Sequence, residues 1–253
     1  MDMNIDIDYS KRTQLYEGKA KIVSVLDENP EHVVMYFKDD ATAFNAEKKS
    51  QFDGKGELNC WISDYLLQAM DNLGIRTHFI EKINEREIVA RKLKIIPIEV
   101  IVRNVAAGTF CKRYGLPQGT LLPKHIVEFC VKDDDLGDPP IDPEAIDALG
   151  LCHPTDLMRI KAITNDVNKY LKAIFYQIGF KLVDFKLEFG FDIDPQGLVG
   201  NTIYLADEIC PDTMRLWDFK TNESFDKDLF RFDKGDLLAG YKEVKRRLSA
   251  WQG

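Results

Sequence analysis

Between residues 182 and 193 the chain reads LVDFKLEFGFDI. Taken with period two, Val183, Phe185, Leu187 and Phe189 fall on one side and Asp184, Lys186 and Glu188 on the other, the pattern of a strand with one apolar face. The second face is all charge. Elsewhere the apolar positions recur at three and four. In ELNCWISDYLLQAMDNLG, the residues Leu58, Trp61, Ile62, Tyr65, Leu66, Ala69, Met70 and Leu73 predict a helix, with Gly74 where a C-terminal cap belongs. Ile160, Ile163, Val167, Leu171, Ile174, Phe175 and Ile178 form the stripe of a longer helix from about Thr155 to Ile178, ended by Gly179. A last helix spans about Gly235 to Trp251. Strand-like runs are TQLYEGKAKIVSVL (broken at Gly18), EHVVMYFK, THFIEKI, EIVARKLKII, IEVIVRNV and NTIYLADEI, while AAGTFCKRYG reads as a turn and a short helix. DDATAFNAEKKSQFDGKGEL and the acidic KDDDLGDPPIDPEA have loop composition, and PQG reads as a turn. No internal repeat or low-complexity segment is present.

Strands crowd the first half and long helices lie mainly between and after them, so the pattern predicts an α+β fold with two lobes. A boundary near Pro97 divides them into 1–96 and 97–253. A cleft between two lobes is the default place for a ligand.

Composition narrows the function classes. The net charge of −8 argues against general nucleic-acid binding, which shows as a basic domain. It leaves room for a small anion held by a local cluster of lysines and arginines. No run approaches the roughly 18 apolar residues of a membrane span, and the acidic start MDMNIDIDYSKR lacks the apolar core of a signal peptide. A cytoplasmic protein with neither a nucleic-acid nor a membrane partner is expected. Cys60, Cys111, Cys130, Cys152 and Cys210 are widely spaced with no CxxC pair, so neither a disulfide framework nor a zinc site is indicated. The thiol in CHP, beside His153, is either reactive or simply buried and reduced. The four histidines form no HxH or HExxH pattern and read as structural.

Four segments carry candidate chemistry. In YEGKAKIV, Lys19 and Lys21 fall on one face if the chain beyond Gly18 is extended, about 7 Å apart. They could reach the oxygens of a polyphosphate, or belong to a solvated hairpin. In IIPIEVIVRNVAAGT, Arg103 with Thr109 and nearby backbone N–H groups suits a phosphomonoester, and pairing with a carboxylate at a sheet edge is the competing use. In IYLADEICPDTMRLWD, Asp207 and Glu208 end an apolar run, with Asp212 and Arg215 in a following loop; solvated loop charges are the other reading. Asp184 and Glu188 start roughly 13 Å apart along one strand, too far for one ion to hold both. A neighbouring strand lies only about 4.8 Å away, so Glu188 and Asp207 can meet over one Mg²⁺ if their strands pair. Magnesium suits one or two carboxylates completed by phosphates and water, and Lys186 would then face phosphate oxygens.

LYEGKAK, IIPIEVIVRNVAAGT, LVDFKLEFG and LADEICPDTMRLWD, in series from about residue 14 to residue 250, resemble the signature segments of the phosphoribosylaminoimidazole-succinocarboxamide synthase (SAICAR synthetase) family. The resemblance implies a kinase-like, strand-rich nucleotide lobe, a second α/β lobe, and ATP between them. It implies ligation of the carboxylate of carboxyaminoimidazole ribotide (CAIR) to the amino group of L-aspartate, with ATP cleaved to ADP and phosphate. Lys19 and Lys21 then fall on the nucleotide-binding glycine loop, Ile95 on the connection that meets adenine, and Lys186 on an ATP-contacting lysine. Glu188 and Asp207 fall on the Mg²⁺-binding acids, and Arg103, Thr109 and Arg215 on the group that holds the ribotide phosphate. Asp184 and Asp212 lie in the same motifs and are placed at the substrate side. The family usually has serine where this chain has Thr109; the hydroxyl persists. Phosphorylation of the CAIR carboxylate to an acyl phosphate would make it attackable. Either Asp212 or the substrate phosphate would serve as base for the aspartate amine. A small-molecule kinase using the same lobes is the second function class, and a non-catalytic nucleotide binder the third. The resemblance also suggests a homodimer.

Overall fold

β-Branched runs separated by tight turns fold the early chain into antiparallel strands. The computed structural model describes residues 8–43, 47–194 and 196–251. The acidic start of the chain, part of the PQG turn and part of the DDATAFNAEKKSQ stretch lie outside the described residues. Strands β1 (Arg12–Glu17), β2 (Lys21–Leu26) and β3 (Asn29–Phe37) are followed by the hairpin β4 (Asp40–Ala43) and β5 (Lys48–Gln51). Helix α1 (Lys55–Asn72) comes next, then β6 (Phe79–Asn84) and β7 (Glu87–Arg91). Five of these strands form one antiparallel sheet in the order β1-β2-β3-β7-β6. Helix α1 covers it, contacting β3, β6 and β7 and burying Leu58, Ile62, Leu66, Leu67 and Met70. The expected stripe is therefore present, except that Leu73 is exposed at the end of the helix. The β4–β5 pair corrects the loop expectation: Ala43 pairs with Lys48 and Asp40 with Gln51, and Ala41 and Ala43 bury against Leu229, Phe230 and Leu237, a face too small to show as an apolar run.

The second sheet begins with β8 (Leu93–Ile95) and β9 (Ile98–Val105), followed by helix α2 (Thr109–Tyr114). Strand β10 (Leu121–Val131) was not foreseen, because LLPKHIVEFCV contains Pro123 and its register shifts between Leu121 and Ile126. Within the expected acidic loop lie β11 (Pro140–Ile141) and α3 (Pro143–Ala148), whose N-cap Asp142 accepts from the Ala145 N–H. Helix α4 (Pro154–Gln177) matches the predicted long helix and buries Ile160, Val167, Leu171, Ile174 and Phe175. His153 has a structural role at its N-cap, where the ring accepts from the Thr155 N–H. Strands β12 (Phe180–Ile193), β13 (Val199–Ala206) and β14 (Met214–Asp218), then helices α5 (Asp228–Arg231) and α6 (Leu237–Ala250), complete the chain. Strand β14 again replaces an expected loop; the turn-rich ICPDT precedes it and masks the short apolar alternation of MRLWD.

Strand β12 is the axis of this sheet. Its first half lies between β9 and β14, and its second half pairs with β8 and β13. Helix α4 packs against it. Val183, Phe185, Leu187 and Phe189 are buried as the alternation predicts, but Asp184 and Glu188 are also only 4% exposed. The charged row is not a solvated face. The two sheets share one continuous apolar core with α1 and α4, and the segment after α1 joins them, since Thr77 bridges Leu205 and the His78 N–H donates to the Leu205 carbonyl. The five cysteines are free, and burial pushes the Cys152 thiol up to about 11, away from the thiolate form that a nucleophile needs. No helix among the described residues is long and apolar enough to cross a membrane.

Candidate active site

The charged row of β12 opens onto a cavity of about 460 Å³. Every candidate residue except Ile95 lines it: Lys19, Lys21, Arg103, Thr109, Asp184, Lys186, Glu188, Asp207, Asp212 and Arg215. Ile95 lies instead in β8, paired with Gly190 and half-buried.

At the centre, Lys186 Nζ lies 2.9 Å from Glu99, 2.6 Å from Glu188 and 3.5 Å from Asp207. Burial opposes its charge, but Glu188, Asp207 and Glu99 outweigh that and hold the ammonium well above its ordinary pKa. Glu188 is in register with Ala206, so the residue that follows β13 stands beside it. That residue, Asp207, has φ 62, a left-handed conformation that is uncommon for a side chain other than glycine. Lys21 reaches across from the first sheet to meet both Asp207 and Glu208. Lys21 and Lys186 overcome the burial penalty on Asp207 and hold its carboxyl well below the usual range. Lys132 adds a third lysine, 2.8 Å from Glu188. Lys19, at the mouth, pairs with Asp134 at 2.6 Å. Two adjacent carboxyl side chains, one on β12 and one just past the end of β13, suit a magnesium ion whose remaining ligands come from phosphate and water. Among the described residues no group of three or more His, Cys, Asp or Glu side chains is placed to hold a metal ion.

At the other end Asp184 holds two arginines, Arg103 at 3.0 Å and Arg215 at 2.7 Å. Arg103 also meets Glu128, and Arg215 meets Asp228 at 2.8 Å. Arg103 thus takes the carboxylate pairing left open by its sequence, though in the interior of the sheet and not at its edge. Asp184 and Asp228 overcome burial and keep the Arg215 pKa above its ordinary value. Gly108, φ 57 and ψ −133, makes room for this arginine: a Cβ there would come within 2.7 Å of Arg215 Nη2. Thr109 follows at the start of α2.

Asp212 sits on the third side. Its oxygens accept from Lys55 Nζ (2.5 Å) and from the Tyr241 hydroxyl (2.6 Å). Burial raises its pKa, but Lys227, Lys55 and the two hydrogen bonds prevail and place it well below the carboxylate range. Sequence reading missed Lys55, Glu99, Lys132, Lys227 and Tyr241. Glu99 had a signal, a lone acid inside the apolar run IPIEVIV, and Lys55 stands between two glycines just before a helix. Lys132 and Lys227 reach the cavity, and Tyr241 reaches Asp212, only through tertiary packing.

The match to the family model described as SAICAR synthetase spans residues 14–248. The phosphoribosylaminoimidazole-succinocarboxamide synthase of Rhodospirillum centenum is 52% identical over 241 residues, covering 94% of this chain and 92% of the relative. A crystal structure of the synthase from Ehrlichia chaffeensis superposes with a TM-score of 0.88 at 43% identity, covering 95% of this chain and all of that one. A SAICAR synthetase in complex with ADP superposes with a TM-score of 0.86 at 45% identity, covering 94% of this chain and 98% of that one.

Proposed function

The chain belongs to the SAICAR synthetase family, and from that premise we propose how its cleft carries out ATP-dependent SAICAR formation in purine biosynthesis. The substrates are ATP, CAIR and L-aspartate. The lobes divide at residues 96 and 97; ATP lies between them, with adenine near Ile95 and its phosphates against Lys19, Lys21 and Lys186. Glu188 and Asp207 would hold Mg²⁺, which would neutralise phosphate charge there. Arg103, Thr109 and Arg215 bind the ribotide phosphate, with Asp184 fixing both arginines. Asp212, ionised and tied by two donors, is a fixed anion on the substrate side and a weak base.

A carboxylate resists attack because of its charge and because oxide is a poor leaving group. Transfer of the ATP γ-phosphoryl group to the CAIR carboxylate gives an acyl phosphate, and the amine of aspartate displaces phosphate from it. The protein contributes position and fixed charge, as in phosphoryl transfer generally. Lys186 supplies an ammonium held charged by three acids, and Lys21 and Lys132 flank it. The observation that carries this reading is the alternation of Lys21, Lys186 and Lys132 with Glu188 and Asp207 in one cavity wall. Phosphate oxygens can replace the carboxylates around the lysines, freeing the two acids for the metal. A homodimer in the cytoplasm completes the proposal, with light scattering as the check on assembly.

ADP release is expected to require CAIR and L-aspartate together. Release with the ribotide alone would indicate a small-molecule kinase. Replacing Glu188 with Gln should lower turnover on the order of 10²-fold or more with the melting temperature maintained; unchanged turnover refutes the metal assignment.

A further inference from the structure

We propose that Lys227 is the base that takes the proton from the ammonium of L-aspartate, an inference that rests on the amide-forming reading of the cleft. Lys227 lines the cavity at the start of α5, with Asp212 and Arg231 also in the wall. Among the described residues, every other lysine or arginine of that wall has a carboxylate at ion-pair distance. Lys19 has Asp134, Lys21 has Asp207, and Lys132 and Lys186 share Glu188. Arg103 and Arg215 share Asp184, and Arg231 has Asp228. The Lys227 ammonium has no hydrogen-bond or ion-pair partner among the described residues. The carboxylate that faces it, Asp212, is already engaged by Lys55 and Tyr241.

The surroundings favour its neutral form. Burial lowers the Lys227 pKa; Asp212 and Cys210 oppose this, while Lys55 from α1 and Arg231 from α5 reinforce it. The remaining neighbours offer no better base. Asp228 is held by Arg215 and Arg231, and the Tyr241 hydroxyl donates to Asp212. Of the wall carboxylates, Asp184 is bound by two arginines, Glu188 and Asp207 by lysines, and Glu99, though raised by burial, by Lys186. An amine held near cations and out of bulk water is a recurrent way to obtain a neutral lysine.

The proton balance is simple. Neutral Nζ accepts one proton from the aspartate ammonium, leaving a free amine and a charged Lys227. The amine lone pair forms the C–N bond at the acyl carbon as the C–O bond to phosphate breaks. Phosphate leaves with that electron pair and takes the second amine proton.

Hydroxylamine separates this step from the rest, because it is already a neutral nucleophile near neutral pH and needs no base. Lys227→Met should lower aspartate-dependent turnover by about 10²–10⁴-fold while still forming hydroxamate from CAIR, ATP and hydroxylamine. The rise of the wild-type rate with pH should disappear in the variant. Lys227→Arg, which keeps charge but cannot shed it, should be as poor with aspartate; it carries the same comparison if Lys227→Met fails to fold. Recovery of aspartate turnover in Lys227→Arg, or equal loss of the hydroxylamine reaction, overturns the assignment and makes Lys227 a binding cation. Absence of hydroxamate with the wild-type enzyme would instead count against the acyl phosphate. The pH profile and the arginine variant then decide on Lys227 by themselves.

Discussion

Asp184 is nearly inaccessible and holds two arginines at once, so it would shape the proposed ribotide site through the groups that touch the ligand. Gly108 acts there by lacking a side chain. Its φ of 57 with ψ −133 is strained for an L residue, and a Cβ would meet the Arg215 guanidinium. Gly108→Ala is therefore expected to raise the KM for CAIR at least about tenfold, a loss of roughly 1.4 kcal/mol of binding, with the KM for ATP little changed; steady-state kinetics on both substrates checks this. Asp212 is the residue whose sequence reading changed most. Its sequence placed it in a turn-rich loop with solvated charge as one reading, and the structure puts it in the cavity wall. Its partners were not legible, because Lys55 and Tyr241 lie far away in sequence and reach it only when α1 and α6 pack together. Removing its charge with Asp212→Asn leaves Lys55, 0% exposed, without a counter-ion. We expect a loss of about 3–5 kcal/mol of stability by urea unfolding at neutral pH.

Among the elements, β12 was the most legible, since period two survives burial on both faces when one row is charged. Helices α1 and α4 were legible for the same kind of reason: long stripes at three and four, ended by glycine. Strand β10 has no such period, β14 is short and follows turn residues, and β4–β5 buries only the small side chains of Ala41 and Ala43. Their strand character is fixed by neighbours and not by local pattern. Helix α6 brings Tyr241 to Asp212, so its stability matters to the site. Its N-cap Asp236 accepts from the Ala239 N–H at 3.1 Å. Asp236→Ala should cost about 0.5–2 kcal/mol in chemical denaturation, with a smaller effect from Asp236→Ser, which retains a cap.

Over the whole molecule, the ion pairs between Lys21 of the first sheet and Asp207 and Glu208 of the second join the two halves across the cavity. Asp207 and Asp212 both have depressed carboxyl pKa values in the folded protein. Each contributes stability above the unfolded value of about 3.9, and that contribution is lost as pH falls toward the lower folded values. The stability gap between the wild type and Asp212→Asn should therefore narrow progressively below about pH 4, measured by urea unfolding across pH; a constant gap would mean that the charge of Asp212 is not what stabilises. The α+β class was legible from the order of strands and helices, whereas the seam between the sheets depends on pairings of residues distant in sequence, such as Thr77 with Leu205.

The chemistry assigned to the cleft turns on a phosphorylated CAIR carboxylate. The most direct measurement uses CAIR labelled with ¹⁸O in that carboxylate, turned over with ATP and L-aspartate, followed by mass analysis of the phosphate released. We expect one ¹⁸O atom in each phosphate. Phosphate without label, with SAICAR still formed, would contradict the acyl phosphate.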